Sequence, residues 1–593
     1  MIAPMKRVTV LCLASDEEAT LEHLRALGIL HLAPVQLPEA PDVEAARREL
    51  TRVRRVLDVL PARAAGAPAA GRPARETVEA VWALVQRRKT VEDDLEALRH
   101  ERQRIEPLGA FDPAQVRALA DKGVRVRFFQ IEPGREPAAP AGVAIHGLAR
   151  TRSATYFAAI HRGEAEIEGR EIRLPERSLA EIDRRLAARE AERLAVASEL
   201  ASHAGERPAV AALALEAADR LAFARARAGM GRAARVAYLR GFCPEAGVAC
   251  IREAAAQGGW GFRIEDPSAD DPVPTLLRNA GWVSPIHALF RMIGILPGYR
   301  ETDVSVAFLV FFSLFFAMLV GDAGYGAIFL GLTLWARRRL PKAPRELLSL
   351  SLITSVATIV WGVLTGTYFG LAPDAVPAVL RGLRVGWLGV EENLQYLCFV
   401  IGASHITLAH VWNIVRMRRS AQALAQIGWI ATTWTMFFYA CMMVLGRSFP
   451  GVMMPVFIGG VAMIVLFMTP PRALKEEWFN HVLLPLNLVS NFVDVVSYIR
   501  LFAVGTASYA VASSFNEMLS GLLGHWATAV LAAVFLFVTH TFNIALSIMG
   551  VMVHGVRLNT LEFSGHVGLQ WTGIPYEPFR SGSAAEPGAE AAR

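Results

Sequence analysis

Residues 496–504 read V-S-Y-I-R-L-F-A-V. From about Asn480 to Leu523 the chain is otherwise almost entirely apolar or small, so Arg500 stands near the middle of a hydrophobic helix. A guanidinium cannot shed its proton. At a bilayer centre it costs about 2.5–3.5 kcal/mol on insertion scales. That cost calls for an anionic partner.

The 593 residues divide into two unlike halves. Up to about residue 300 the chain is rich in Ala, Arg and Glu. Beyond it, apolar runs repeatedly exceed the ~18 residues of a membrane helix. The pI of about 9.2 therefore does not point to nucleic acid, because the arginines lie on a mixed-charge helical region and in short loops between apolar spans. Cys12, Cys243, Cys250, Cys398 and Cys441 form no C-x-x-C pair, which argues against a disulfide framework or a zinc site. The start, M-I-A-P-M-K-R-V-T-V-L-C-L, alternates like a first strand and is followed at once by acids, unlike a signal peptide.

In the first half, Glu44–Leu60 and Arg75–Ile105 read as helix. Leu84, Val91, Leu98 and Ile105 recur every seven residues, with Val81 and Leu95 complementary. A second long helix begins near Leu179, with Leu179, Leu186 and Leu200 on one heptad position and Ile182 and Val196 on the other. The pattern predicts an antiparallel coiled-coil hairpin from helices 43–106 and 176–230. A distal α/β lobe (108–175) lies at one end, and a proximal lobe built from 1–38 and 234–265 closes the other. No G-x-x-x-x-G-K-[ST] loop is present, so the chain is read as not hydrolysing ATP itself.

Eight spans are predicted, at about 303–320, 323–336, 346–370, 393–415, 424–446, 451–470, 480–521 and 526–565. The last two are long enough to require tilt or kinks. With the first half cytoplasmic, inner loops carry Arg337, Arg338, Arg339, Lys342, Arg345, Arg416, Arg418, Arg419, Arg472 and Lys475. Outer loops carry only Arg381, Arg384 and Arg447, so both termini should be cytoplasmic.

On the seventh span Asn487, Ser490, Asn491, Asp494, Ser497 and Tyr498 recur at three- and four-residue steps as a polar stripe. Beyond Arg500 come Ala503, Ala507, Ser508, Ala510 and Ala512, small enough for another helix to pass closely. On the eighth span Asn543, Ser547, Gly550, His554 and Arg557 are spaced to share one face. Asp494 is the acid near Arg500, and two arginines are not evenly matched by acids. His405 and His410, five apart, are read as core or interface residues rather than metal ligands.

These motifs resemble a known family, the a subunit of rotary V-type and V/A-type ATPases, called subunit I in bacteria. The resemblance covers nearly the whole chain. It rests on S-Y-I-R-L-F-A-V-G-T-A-S (497–508), H-G-V-R-L-N-T-L-E-F (554–563), P-Y-E-P-F (575–579) and F-F-A-M-L-V-G-D-A-G-Y-G (315–326). G-V-L-T-G-T-Y-F-G (362–370), I-G-A-S-H-I (401–406) and L-R-G-F-C-P (239–244) add to it.

The resemblance implies a mainly α fold: cytoplasmic α/β lobes on a coiled-coil arm (1–300), an eight-helix transmembrane domain (301–568) and a cytoplasmic tail (569–593). It also implies a membrane stator that is not itself the ATP catalyst, and the Ala/Arg-rich composition and compact length favour a bacterial inner membrane. Arg500 matches the family's essential arginine and Arg557 its second, and Glu562 joins the ion-translocation residues. Asn487, Ser490, Asp494 and Ser497 would line an inner half-channel. Asn543, Ser547 and His554 would serve an outer route or orient the arginines. Implied partners are a proteolipid rotor ring, peripheral stalk subunits, a central-stalk adaptor subunit, a soluble ATPase sector and the bilayer, with no cofactor, metal or nucleic acid. Where some relatives carry glutamates along the last two spans, this chain has Asn487, Ser490 and Ser547. The competing reading is a stand-alone secondary transporter with a cytoplasmic regulatory arm and Asp494 as carrier, although no repeated halves are evident.

Overall fold

The computed structural model describes residues 1–61, 72–341, 343–470, 475, 477–524 and 526–582. Lys342, Arg472, most of the 61–73 loop and the end of the tail fall outside the described residues. The chain forms two compact units. One comprises Val8–Gly241, Ala249–Ile264 and the described residues from 578; the other comprises Met1–Arg7, Phe242–Val248 and Glu265–Glu577.

The first unit is built on helices. After β1 (Met5–Leu13), α1 (Glu17–Leu27) and β2 (His31–Ala33) come α2 (Pro41–Val59) and α3 (Ala74–Ile105). The return limb is α5 (Leu179–Ser202) and α6 (Arg207–Ala228). The expected single helix over 176–230 is thus interrupted at His203–Glu206. Pro208 follows, and a proline fits the first turn of a new helix but not the interior of an old one.

Register is written in charge pairs: Glu49 with Arg220, Arg87 with Glu192, and Arg102 with Asp183. Partner numbers fall as the outgoing numbers rise, so the two limbs are antiparallel. The seam buries Val81, Leu84, Val91, Leu95, Leu98 and Ile105 opposite Ile182, Val196 and Leu200. His203 donates to Glu206 across 3.0 Å at the break. Burial of Glu206 opposes its ionisation, but hydrogen bonds from His203 and Thr77 prevail and hold its carboxyl below the usual range.

Beyond α3, α4 (Pro113–Asp121) leads to β3 (Arg125–Ile131), β4 (Val143–Arg150), β5 (Thr155–His161) and β6 (Arg170–Ile172). They form an antiparallel sheet in the order β4-β5-β3-β6. The side chains alternate: Phe128 and Ala158 pack on one face, and Phe129, Phe157 and Ala159 on the other. At the near end β7 (Gly231–Ala233), β8 (Val236–Pro244), α7 (Val248–Gly258) and β9 (Gly261–Glu265) follow. The sheet order β2-β8-β1-β9 alternates strands from before and after the arm. Phe579 donates its amide to the Leu30 carbonyl, so the first part of the tail is tied down in this unit. The five cysteines are free, and burial pushes the Cys243 thiol up to about 11, which leaves it unreactive.

The second unit holds the apolar helices. After β10 (Pro274–Thr275) and α8 (Ile286–Ile293) come α9 (Ser305–Val320), α10 (Ala323–Arg339), α11 (Arg345–Thr365), the short α12 (Ala378–Arg381), α13 (Glu391–Arg416), α14 (Gln422–Leu445) and α15 (Met453–Phe467). The series ends with α16 (Trp478–Ser497), α17 (Ile499–Ser520), α18 (Trp526–Gly550), α19 (Ser564–Val567) and β11 (Ile574–Pro575), which pairs with β10. By length and composition, five helical segments of the described residues can cross a membrane: Arg345–Thr365, Glu391–Arg416, Gln422–Leu445, Trp478–Ser520 and Thr528–Val567. Ser305–Val320 and Met453–Phe467 are apolar but shorter.

The α9–α10 turn follows from two residues. Gly321 ends α9 at φ 70°, where a side chain would be strained. Asp322 then caps α10, its Oδ1 accepting from the Gly324 and Tyr325 amides at 2.7 and 3.1 Å.

The two long apolar segments are not uniform helices. Trp478–Ser520 breaks at Tyr498, between α16 and α17. Thr528–Val567 changes after Gly550 to π-helical turns at Val551–Gly555 and Leu558–Phe563. A π turn inserts a residue, and such turns collect at functional sites.

Candidate functional site

The site grows out of these two irregularities. At the Tyr498 break the Leu501 amide turns to the Tyr498 carbonyl. The Ser497 carbonyl is thereby released from helical duty and accepts from Arg500 Nε at 2.9 Å. Ser497 therefore contributes a main-chain acceptor to the guanidinium. Arg500 Nη2 donates to Glu562 Oε1 at 2.7 Å, and Arg557 Nε lies 3.4 Å from the same oxygen. Glu562 is buried, Arg500 is 22% exposed and Arg557 is 53% exposed.

Glu562 is five residues beyond Arg557. In an α-helix the neighbour one turn on is the fourth residue, and the π turn makes it the fifth. The acid that answers Arg500 is therefore Glu562 and not Asp494, which corrects the sequence expectation. Two guanidiniums share one carboxylate, so the surplus positive charge inferred from the sequence persists.

Asp494 instead accepts from His566 Nε2 at 3.1 Å. Both residues border a polar recess of about 300 Å³, together with Asn487, Ser490, Asn491, His410, Gln426, Trp429 and Gly565. The recess thus gathers Asn487, Ser490 and Asp494 of the expected stripe. Asn491 also bonds Thr433 of α14 at 3.2 Å. Tyr498 is fully buried and bonded to His405 Nδ1 at 2.9 Å, and His405 is stacked between Phe311 and Phe563.

Of the predicted shared face, Asn543 and Ser547 meet Ser508 of α17, and a Cβ added at Gly550 would lie 3.1 Å from Val504 of the same helix. Asn543 Nδ2 donates to the Ser508 carbonyl at 3.0 Å and to Tyr325 Oη at 3.1 Å, and Ser547 bonds Ser508 at 3.0 Å. Neither residue bonds an arginine. They clamp α18 to α17 and α10. The cluster continues from Tyr325 Oη to His540 Nδ1 at 2.7 Å, from His540 Nε2 to Asn516 Oδ1 at 3.1 Å, and from Asn516 Nδ2 to the Phe369 carbonyl at 2.6 Å. His554 lies beside the two guanidiniums, and its buried Nδ1 has no hydrogen-bond partner among the described residues.

Sequence reasoning missed His566, Gln426, Tyr325, His540 and Asn516 as site members. An intramembrane histidine on each of the last helices was the available signal. Among the described residues no cluster of His, Cys, Asp and Glu could hold a metal ion.

Fold and site together define a membrane protein whose helices enclose an arginine–carboxylate centre beside a polar recess. Comparison with known proteins makes the class specific. The chain is 33% identical over 626 residues to V-type ATP synthase subunit I 1 of Treponema pallidum, across 98% of this chain and 100% of the relative. It is 34% identical over 366 residues to V-type ATP synthase subunit I of Borreliella burgdorferi, covering 58% of this chain and 60% of the relative. It is 27% identical over 345 residues to the A-type subunit I of Pyrococcus horikoshii, covering 54% and 49%. A crystal structure of the cytoplasmic N-terminal domain of a V-ATPase subunit I matches at 17% identity, 44% of this chain and 99% of that one, with a TM-score of 0.23, too low to bear on the fold. No family model matches. The chain belongs to the subunit I family of V-type and A-type ATP synthases.

Proposed function

We propose that the chain is the membrane stator of a rotary V/A-type ATPase, coupling proton or sodium passage to rotation of a proteolipid ring. The observation that carries this reading is the sharing of one buried carboxylate by two guanidiniums inside apolar helices, with Arg557 half-exposed. Such a centre is under-neutralised and open to an anion from another chain. A ring carboxylate brought within ~4–6 Å of Arg500 would have its pKa lowered by about 1–3 units and would release its cation there. It could re-enter lipid only after reloading, so ion passage and rotation become obligatory to one another. Arg500 would also block a direct leak.

The recess at Asn487, Ser490 and Asp494 is the candidate inner half-channel, with His566 as a proton partner to Asp494. The Asn543–Tyr325–His540–Asn516 chain is the candidate outer route. The exposed apolar face of α18, with Val530, Val534, Phe537 and Val538, and the exposed Ala503, Ala507 and Ala510 of α17 supply a surface for ring or lipid. On this reading residues 1–300 form a non-catalytic cytoplasmic arm that holds peripheral stalks and resists torque. Residues 301–568 form the inner-membrane transport domain and 569–593 a cytoplasmic tail.

Purification of the native complex in mild detergent, with mass spectrometry, tests the assignment. A small proteolipid, stalk subunits and an ATPase head should co-purify. A lone chain or a homo-oligomer would refute it and make Asp494 the carrier of a self-contained transporter.

A further inference from the structure

We infer that Glu562 is a built-in counter-ion that competes with the ring carboxylate for Arg500 and Arg557 and so sets how readily that carboxylate reloads its cation. The inference rests on the stator reading and assigns a positioning residue within it. Three observations support it. Glu562 is 4% exposed, so solvent neither screens nor replaces it. Its contacts are lopsided: Oε1 meets both guanidiniums, whereas Oε2 is buried with no hydrogen-bond partner among the described residues. A carboxylate committed to fixing Arg500 would use both oxygens in a bidentate pair, the stronger geometry. The single shared oxygen leaves the other donors of each arginine for a second anion.

The third observation is placement. Arg557, the more exposed guanidinium, is reached only because a π turn carries Glu562 to it. The charged and titratable groups facing Glu562 are Arg500, Arg557, Asp494 and Tyr498, with His554 beside the guanidiniums. Without Glu562 the two arginines would bear on the ring carboxylate unopposed. Its cation would then bind more weakly there.

The test is ATP-driven transport by the complete complex in vesicles, titrated against pH at fixed sodium and against sodium at fixed pH. With Glu562→Gln the half-maximal activity of the coupling cation should rise about tenfold, one pH unit for protons. Adding Arg557→Gln should restore it toward the starting value, because one guanidinium is then removed with the one carboxylate. Glu562→Asp should hold it within about threefold. An unchanged half-maximal cation activity in an assembled Glu562→Gln complex overturns the inference. So does failure of both Glu562→Gln and the double variant to assemble, which would assign Glu562 to folding. Arg500→Ala, run alongside, reports on the stator reading separately: transport by that variant would refute the reading itself.

Discussion

His566 Nε2 stands 3.1 Å from Asp494 Oδ2, joining residues 72 positions apart at the edge of the polar recess. The pair takes Asp494 away from Arg500 and gives it an imidazole partner. Transport through the recess should therefore depend on the pair as a unit. Asp494→Asn and His566→Gln should each slow ATP-driven ion uptake by about tenfold without abolishing it. The double variant should be little worse than either, since residues in one network are not additive. Unchanged uptake in Asp494→Asn would remove the recess from the ion path.

Tyr325 Oη sits between Asn543 and His540. Tyr325→Phe keeps the ring but leaves the buried Asn543 amide short of an acceptor, at a cost of about 1–3 kcal/mol. The purified chain should melt at lower temperature, and uptake should fall if the outer route runs here. Reduced stability with full uptake would mark the cluster as a clamp alone.

Gly505 packs against α9 so closely that an added Cβ would lie 2.5 Å from the Met318 carbonyl oxygen. Backbone cannot yield as a flexible side chain does, so Gly505→Ala should destabilise by about 1–3 kcal/mol. Thermal unfolding in detergent, compared with Gly521→Ala, where an added Cβ meets nothing within 4 Å, checks the expectation.

The arm has its own pH limit. Glu206 has a carboxyl pKa held below its ordinary value, so the unfolded chain binds its proton more readily than the folded one. Its stabilising contribution is complete above the unfolded carboxyl pKa and is lost as pH falls through the lower folded value. Hydrogen exchange at the α5–α6 junction should quicken in that acid window, and Glu206→Gln should flatten the dependence. An equally steep response in Glu206→Gln would exclude this pair as the cause.

Much of this architecture was legible because it follows local periods. The heptad positions of α3 are buried as their spacing requires, those of α5 are buried at Ile182, Val196 and Leu200 and half-buried at Leu179 and Leu186, and Gly321–Asp322 marks a turn that left-handed glycine and carboxylate capping explain. The stripe Asn487–Ser490–Asp494 was legible as one helix face. The partners of the charges were not. Glu562 meets Arg557 through a π turn, which no α-helical spacing rule anticipates, and Ser497 acts through a carbonyl freed by a break at Tyr498. His566 and His540 find their partners only through tertiary packing.

The measurement that bears most directly on the account is ATP-driven ion uptake by the complex carrying Arg500→Ala, with assembly checked by co-purification and hydrolysis followed in parallel. The account predicts an assembled complex with no ATP-driven uptake. Uptake at the normal rate by an assembled Arg500→Ala complex would contradict it.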